Sequence, residues 1–444
     1  MRSVGSFAAM SLRLLLVGDM HLGKQPRLSS TLQTLGIEGA DIAPSAAWRR
    51  AAELAIEHEV HAVLCAGDLV NQKENCFEAL AELLGPLKLL QKAGIPVYAV
   101  AGNHDVEALP MIAQWVEATG FHLLGAKGVW ESVELVGDDD SRVEIVGWSF
   151  PSQVYLESPL AGLPPRQNTK IPRVGLLHCD RDGHSSYAPV SSAELVAAPV
   201  DAWFLGHIHI PDLQGLQQSR PMGYLGCLSP IRRKEVGWHG PWLATLNEAA
   251  QFALEPLPGS PLRLESIDCD LHGFDGSLEA LESYFQDRVR KTLEAADEAM
   301  ELKDDLRVVR VRLRLLGAVA DPLLVDQVIA AADYDKLSVP IHGRNWVVDW
   351  LRNDCTRQVD LQGLSRGHDP PAHLAKQQLQ LLEGQGDDLI EAFRESLRQS
   401  ALGSGRWSRW PEPDEQELRH LLLRRGARQL AQLLAQKTEV SGET

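Results

Sequence analysis

Five short blocks in the first 209 residues carry side chains able to hold divalent metal ions. They are Gly18-Asp19-Met20-His21, Gly67-Asp68, Gly102-Asn103-His104-Asp105, His178, and Gly206-His207-Ile208-His209. Carboxylate oxygen, amide oxygen and imidazole nitrogen together suit hard or borderline divalent ions such as manganese, iron or zinc. In an Asp-X-His or His-X-His pair on extended chain, both side chains point to one side and can reach the same cluster. A glycine beside a ligand lets the backbone turn sharply there. Taken singly the blocks are weak, because a lone histidine is more often structural and a lone Gly-Asp says nothing. Gly-Asn-His-Asp should arise by chance in roughly one chain of this length in several hundred, at ~5% usage per residue type. All five occur in order, each behind a predicted strand, and that conjunction points to a metal centre.

Bringing ligands so far apart in sequence to one place requires strands that end at a common edge. Leu12–Val17, Ala62–Cys65, Val97–Ala101, Val143–Val146, Val174–Leu177 and Ala202–Leu205 read as strands bounded by Gly, Asp or His. Helix-like stretches such as Trp48–Glu59 and Cys76–Ala93 lie between them, the second ended by Gly94 and Pro96. The alternation predicts an α/β layered domain over residues 11–258, with the candidate ligands just past the strand ends where loops converge. Pro256–Pro261 opens a second unit, expected to be a small α+β domain over 259–360. In it Ser277 would cap a helix with the stripe Leu278, Leu281, Phe285, Val289 and Leu293. A strand at Val308–Leu315 follows, with Arg310, Arg312 and Arg314 alternating against apolar residues. Residues 365–444 are expected to be helical, with Leu389, Ile390, Phe393 and Leu397 on one face. A Gly/Ser/Trp/Pro stretch at 403–413 precedes a basic helix, Glu415–Lys437.

The bulk properties narrow the classes. The chain has 444 residues, 44% hydrophobic and 23% charged, which predicts two or three globular domains. No run approaches the 18 apolar residues of a membrane span, so no membrane partner is expected. The run Leu12–Val17 is too short and wrongly flanked for a secretory signal, and residues 1–10 read as an extension with Met10 as an alternative start. Six cysteines without a CxxC pair argue against a disulfide framework or structural zinc, and predict a cytoplasmic protein. The net charge of −17 disfavours non-specific binding to nucleic acid.

In their order the five blocks resemble the signature of the calcineurin-like metallophosphoesterase superfamily: D-x-H, G-D, G-N-H-[DE], H, and G-H-x-H. The resemblance covers about residues 12–245. It implies a layered β-sandwich core flanked by helices, and two divalent metal ions, manganese first with iron or zinc as alternatives. Asp19, His21 and His209 would bind one ion, Asn103, His178 and His207 the other, with Asp68 bridging. His104 would donate a proton to the leaving oxygen or steady the phosphoryl charge, and Asp105 would orient His104. Such a centre is locally cationic, so a phosphate can bind despite the overall negative charge.

Several further features resemble the DNA-repair exonuclease branch of SbcD-type nuclease subunits, and within it the YhaO-like proteins. These are Asp19-Met20-His21-Leu22-Gly23, Leu177-His178-Cys179-Asp180 with His184 and Tyr187-Ala188-Pro189, and Tyr224-Leu225-Gly226 with Arg232-Arg233-Lys234 after it. The resemblance implies DNA as substrate, a nuclease of double-strand-break repair type, an SMC-like ATPase partner, a DNA-capping role for the second unit and an ATPase-binding role for the helical tail. A homodimer stays open. Asn71, His184, Arg232 and Arg233 are candidate substrate contacts. Many nucleases of this branch read Gly-Asp-Leu-Phe-His where this chain has Gly67-Asp68-Leu69-Val70-Asn71. Asn71 can hydrogen-bond a phosphate but cannot act as an acid at neutral pH. Two alternatives are a phosphodiesterase for small molecules or nucleotides, and a DNA- or ATPase-scaffolding protein with a weakly active site. Arg310, Arg312 and Arg314 fit a DNA-facing strand and an acid-paired solvated face equally. Arg419, Arg424, Arg425 and Arg428 read as a solvated face, and His58, His61 and His122 as structural.

Overall fold

The computed structural model describes residues 12–71, 76–137, 140–183, 185–213, 220–247, 251–272, 274, 278–404 and 413–441. The extension with Met10, the cap Ser277, the rim candidate His184 and residues 405–412 of the expected linker lie outside them.

The first strands in chain order are β1 (Leu12–Val17), β2 (Ala62–Cys65), β3 (Val97–Ala99), β4 (Phe121–Leu123), β5 (Glu131–Val136), β6 (Arg142–Trp148) and β7 (Arg173–His178). A short pair, β8 (Asp180–Arg181) and β9 (Pro189–Val190), precedes β10 (Ala202–Gly206), β11 (Met222–Tyr224), β12 (Trp242–Leu246) and β13 (Phe252–Pro256). They build two sheets, of order β13-β12-β1-β2-β3-β4 and β11-β10-β7-β6-β5. The β1-β2-β3-β4 run is parallel, as is β6-β7-β10-β11, while β12, β13 and β5 close the edges antiparallel. The sheets face each other through Leu14, Leu16, Leu64, Ile145, Val174, Leu176 and Phe204, all buried.

Alternate residues pack outward. Leu15, Val17, Val63 and Cys65 meet Trp48 and Ala52 of α2, Leu83 and Leu87 of α3 and Ile112 of α4; α1 (Ser30–Thr34) precedes α2 (Pro44–Glu57), α3 (Cys76–Lys92) and α4 (Leu109–Val116). Trp148, Leu177, Trp203 and Leu205 meet Leu195 of α5 (Ser192–Ala197). Coverage on both faces explains why β1, β2, β7 and β10 read as nearly continuous apolar runs. Pro44 occupies the first turn of α2, where its missing N–H costs nothing, and starts that helix four residues before the expected Trp48.

After Pro256 come β14 (Leu262–Asp270), α6 (Leu278–Ala299), β15 (Val308–Leu316), β16 (Ala318–Val319), α7 (Pro322–Ala331), α8 (Tyr334–Leu337), β17 (Val339–Ile341), β18 (Arg344–Asn353) and β19 (Thr356–Arg357). A four-stranded sheet has the order β14-β15-β18-β17, and β16 pairs with β19. The chain divides into two compact units. One holds Met1–Ile267, Leu293–Arg312 and Tyr334–Trp350, the other Asp268–Thr292, Leu313–Asp333 and Leu351–Thr444. In the first unit Arg310 is ion-paired with Asp349 and Arg312 lies over the ring of Trp350; in the second Arg314 is ion-paired with Asp268. The strand arginines are therefore not a free cationic face.

The second unit also carries α9 (Leu361–Ser365), α10 (Pro370–Leu382), α11 (Asp387–Ser404) and α12 (Glu415–Ser441). Ile390, Leu389, Phe393 and Leu397 of α11 pack with Leu381, Leu418 and Leu422, so the tail covers its own apolar stripe. The arginines of α12 depart from the expected solvated face. Arg419 donates to the carbonyls of Leu381 and Gln385, Arg424 and Arg428 pair with Asp354, and Arg425 lies over Phe393.

Candidate metal centre

Each block starts where a strand ends: Asp19 after β1, Asp68 after β2, Asn103 after β3, His178 as the last residue of β7, and His207 directly after β10. The turns are tight. Asp19, His21, Asp68 and His207 all have positive φ, at 32°, 48°, 51° and 104°. Non-glycine residues in that region cost about 1–3 kcal/mol each and persist where the surroundings over-determine them. Two glycines make room. A Cβ on Gly67 would lie 2.6 Å from His178 Nδ1, and one on Gly206 would lie 2.0 Å from the Ala66 carbonyl oxygen.

These turns bring six of the seven candidate ligands into close relation and leave His207 beside them. Ligand atoms of Asp19, His21 and His209 lie within 4.8 Å of one another, as do those of Asp19, Asp68 and His178. His21 Nε2 faces His209 Nε2 at 3.1 Å and Asp68 Oδ2 at 3.8 Å. His178 Nε2 is 3.2 Å from Asn103 Oδ1 and 3.5 Å from Asp68 Oδ2. The His207 ring stands next to His178, centroids 5.3 Å apart, and next to Tyr187 at 5.4 Å. His104 presents its ring edge-on to His21 at 5.2 Å, and its backbone N–H donates to Asp68 Oδ1 at 3.0 Å.

The electrostatics suit a site for cations. Asp19, Asp68 and Asp105 are buried, and among the described residues none is ion-paired with a lysine or arginine. Burial and the neighbouring Asp68 hold the Asp19 carboxyl well above the ordinary range, although the His207 N–H opposes this. Burial also acts on Asp68, but His178, His21 and His104 outweigh it and keep that carboxyl low. Burial lowers the imidazoles, His21 to about 3, His207 to about 4, and His178 in the same direction. They are therefore neutral near pH 7, as metal ligation requires. His178 Nδ1 contacts the Ala66 carbonyl at 3.1 Å and His209 Nδ1 contacts Glu235 at 2.7 Å, which assigns the ring proton to Nδ1 and leaves each Nε2 lone pair for an ion. Among the described residues, the buried His21 Nδ1 has no hydrogen-bond partner. Converging lone pairs and uncompensated buried carboxylates fit a pair of bound divalent cations.

Other candidates fall differently. Asp105 does not contact His104 through its side chain, contrary to expectation. Its Oδ2 accepts from the N–H of Leu69 at 2.7 Å and of Val70 at 3.4 Å, its Oδ1 from Gly102 at 2.7 Å. It fastens the Asp68 turn to the Asn103 turn, and burial with Asp68 nearby pushes it up to about 8. Asn71 donates its backbone N–H to Leu22 O, so it lies on the loop paired with the His21 segment. Arg232 and Arg233 are exposed on the turn that follows Cys227. Sequence reasoning missed Glu235. It stands directly behind the basic run, which reads as a phosphate contact, and only a carboxylate next to that run hints at it.

The chain is similar to several known proteins. The pattern of the calcineurin-like phosphoesterase family matches residues 12–211. An uncharacterized metallophosphoesterase, YhaO of Bacillus subtilis, is 30% identical over 44% of this chain and 48% of its own. The DNA double-strand break repair protein Mre11 of Aeropyrum pernix is 25% identical over 51% of this chain and 56% of its own. The matches thus span about half the length of these relatives. A dimetal phosphatase from Danio rerio shows 14% identity and a TM-score of 0.36, covering 55% of this chain and 99% of that one. The similarity to calcineurin-like phosphoesterases is thus carried by residues 12–211 of the chain.

Proposed function

We propose that this chain hydrolyses phosphodiesters at a two-metal centre, with DNA as the substrate and manganese as the metal. The observation that carries the reading is the convergence of two ligand groups, Asp19–His21–His209 and Asp19–Asp68–His178, on the shared Asp19. Asp19, His21 and His209 would hold one ion, Asn103, His178 and His207 the second, with Asp68 between them. Ions held there would acidify a water and offset charge on the phosphate oxygens. Asp105 keeps the Asp68 and Asn103 turns in register through its backbone hydrogen bonds. His104, whose side chain makes no hydrogen bond among the described residues, donates the proton to the leaving oxygen.

The partial similarity to a double-strand-break repair protein supports the DNA assignment, as does the exposed turn Arg232-Arg233-Lys234 beside the site. In this reading 11–258 is the catalytic domain, 259–360 caps the DNA, 365–444 engages an SMC-like ATPase, and the protein works in the cytoplasm. Among the described residues, no helix is long and apolar enough to cross a membrane. A second reading, a phosphodiesterase for small molecules or nucleotides, is favoured by Asn71 and by the acid-paired arginines Arg310 and Arg314. Rates in manganese on linear DNA with free and blocked ends, set against bis-p-nitrophenyl phosphate and cyclic nucleotides, separate the two. Turnover of the small esters without cleavage of any DNA overturns the DNA assignment.

A further inference from the structure

Behind His209 lies a buried group of side chains that the reaction itself does not use: Cys227, Glu235 and His239. Glu235 employs both carboxylate oxygens. Its Oε1 accepts from His209 Nδ1 at 2.7 Å, and its Oε2 accepts the N–H of Ile231 at 2.6 Å and of Arg232 at 2.7 Å. Cys227 closes the group: its N–H donates to His209 O at 2.8 Å and its sulfur lies 3.3 Å from His239 Nδ1. His239 Nε2 in turn lies 3.2 Å from the Glu235 carbonyl oxygen.

Ligand atoms of His209, Cys227 and Glu235 fall within 4.8 Å of one another, which raises the question of a third ion. The hydrogen bonds answer it. Both Glu235 oxygens already serve as acceptors, and His209 turns its other nitrogen towards His21. The group holds a ligand in place and does not itself offer an open coordination site.

We infer that Glu235 is the positioning residue of the metal centre: it fixes the proton of His209 on Nδ1, aims Nε2 at the ion, and ties that ligand to the Ile231–Arg232 turn. The inference rests on the two-metal reading above. Of the two neutral tautomers, a buried carboxylate facing Nδ1 favours Nδ1–H, and carboxylate partners of this kind raise the basicity of the ligating nitrogen. Because Oε2 holds the N–H groups of Ile231 and Arg232, the carboxylate cannot swing away when the centre is empty. The ligand is thereby set before an ion arrives.

Glu235→Gln tests this, since a glutamine has one acceptor oxygen for two sets of donors. Manganese binding to the full chain would be followed by calorimetry, with ions per chain counted by elemental analysis. We expect one of the two ions to bind roughly 10–100-fold more weakly and the other to stay within a few-fold of wild type. Unchanged affinity for both ions, or equal weakening of both, overturns the inference. A wild-type chain that takes up fewer than two ions overturns the two-metal reading instead. Should Glu235→Gln fail to fold, nitrogen NMR of the histidine-labelled wild-type protein decides, with His209→Gln assigning the signal. An Nε2–H tautomer at His209 refutes the inference, and an Nδ1–H tautomer supports it.

Discussion

His104 stands edge-on to His21 with its ring half-exposed, while its backbone N–H is held by Asp68. That arrangement separates its chemistry from ligation, because the side chain can change without disturbing the Asp68 contact. His104→Gln should therefore lower turnover on a phosphodiester by about 10²–10⁴-fold, while elemental analysis still finds wild-type metal content. Full activity of this variant would remove the acid from the mechanism. Asp105 teaches a related lesson. Its sequence position suggested a partner for His104, yet burial beside three backbone N–H groups that need an acceptor committed it to the backbone.

The elements hold these residues by close approach of backbone to backbone. Gly206 ends β10 against the Ala66 carbonyl, where an added Cβ has no space. Gly206→Ala should cost about 1–3 kcal/mol in urea unfolding, and should weaken metal binding, because His207 follows directly. Stability equal to wild type would show that the sheets can part there without penalty. Away from the centre, Asp297 of α6 anchors the β18 segment. Its buried carboxylate accepts from Arg344 at 2.7 Å, Trp346 at 2.9 Å and His342 at 2.8 Å. Burial opposes its ionisation, but these donors win and hold its pKa at about 2. A carboxyl depressed on folding stabilises above its ordinary range near 4, and that contribution disappears as pH falls towards 2. Asp297→Asn should thus cost about 3 kcal/mol at neutral pH by leaving Arg344 unpaired, and the gap to wild type should narrow between pH 4 and 2. A gap that stays constant through that window would assign the loss to packing instead.

At the scale of the whole molecule, the buried carboxylates should make stability respond to divalent metal. A ligand bound only to the folded state stabilises it by about 2.7 kcal/mol at a hundredfold excess over its Kd. Manganese should raise the Tm of the wild-type chain and a chelator should lower it, whereas Asp68→Ala should respond to neither. A wild-type Tm indifferent to metal would contradict the ligand assignment. The amino-acid sequence by itself determined the ligand types, their order, and the strands that present them, because a strand followed by Gly and a polar ligand is a local pattern that periodicity and turn chemistry encode. Only the tertiary structure decided that Glu235 backs His209, that Asp105 serves the backbone, and that Arg310, Arg314 and the arginines of α12 are committed to partners. Those choices depend on which charges and lone pairs meet across long separations in sequence, where burial makes an unpaired group costly and its pairing is fixed by the fold.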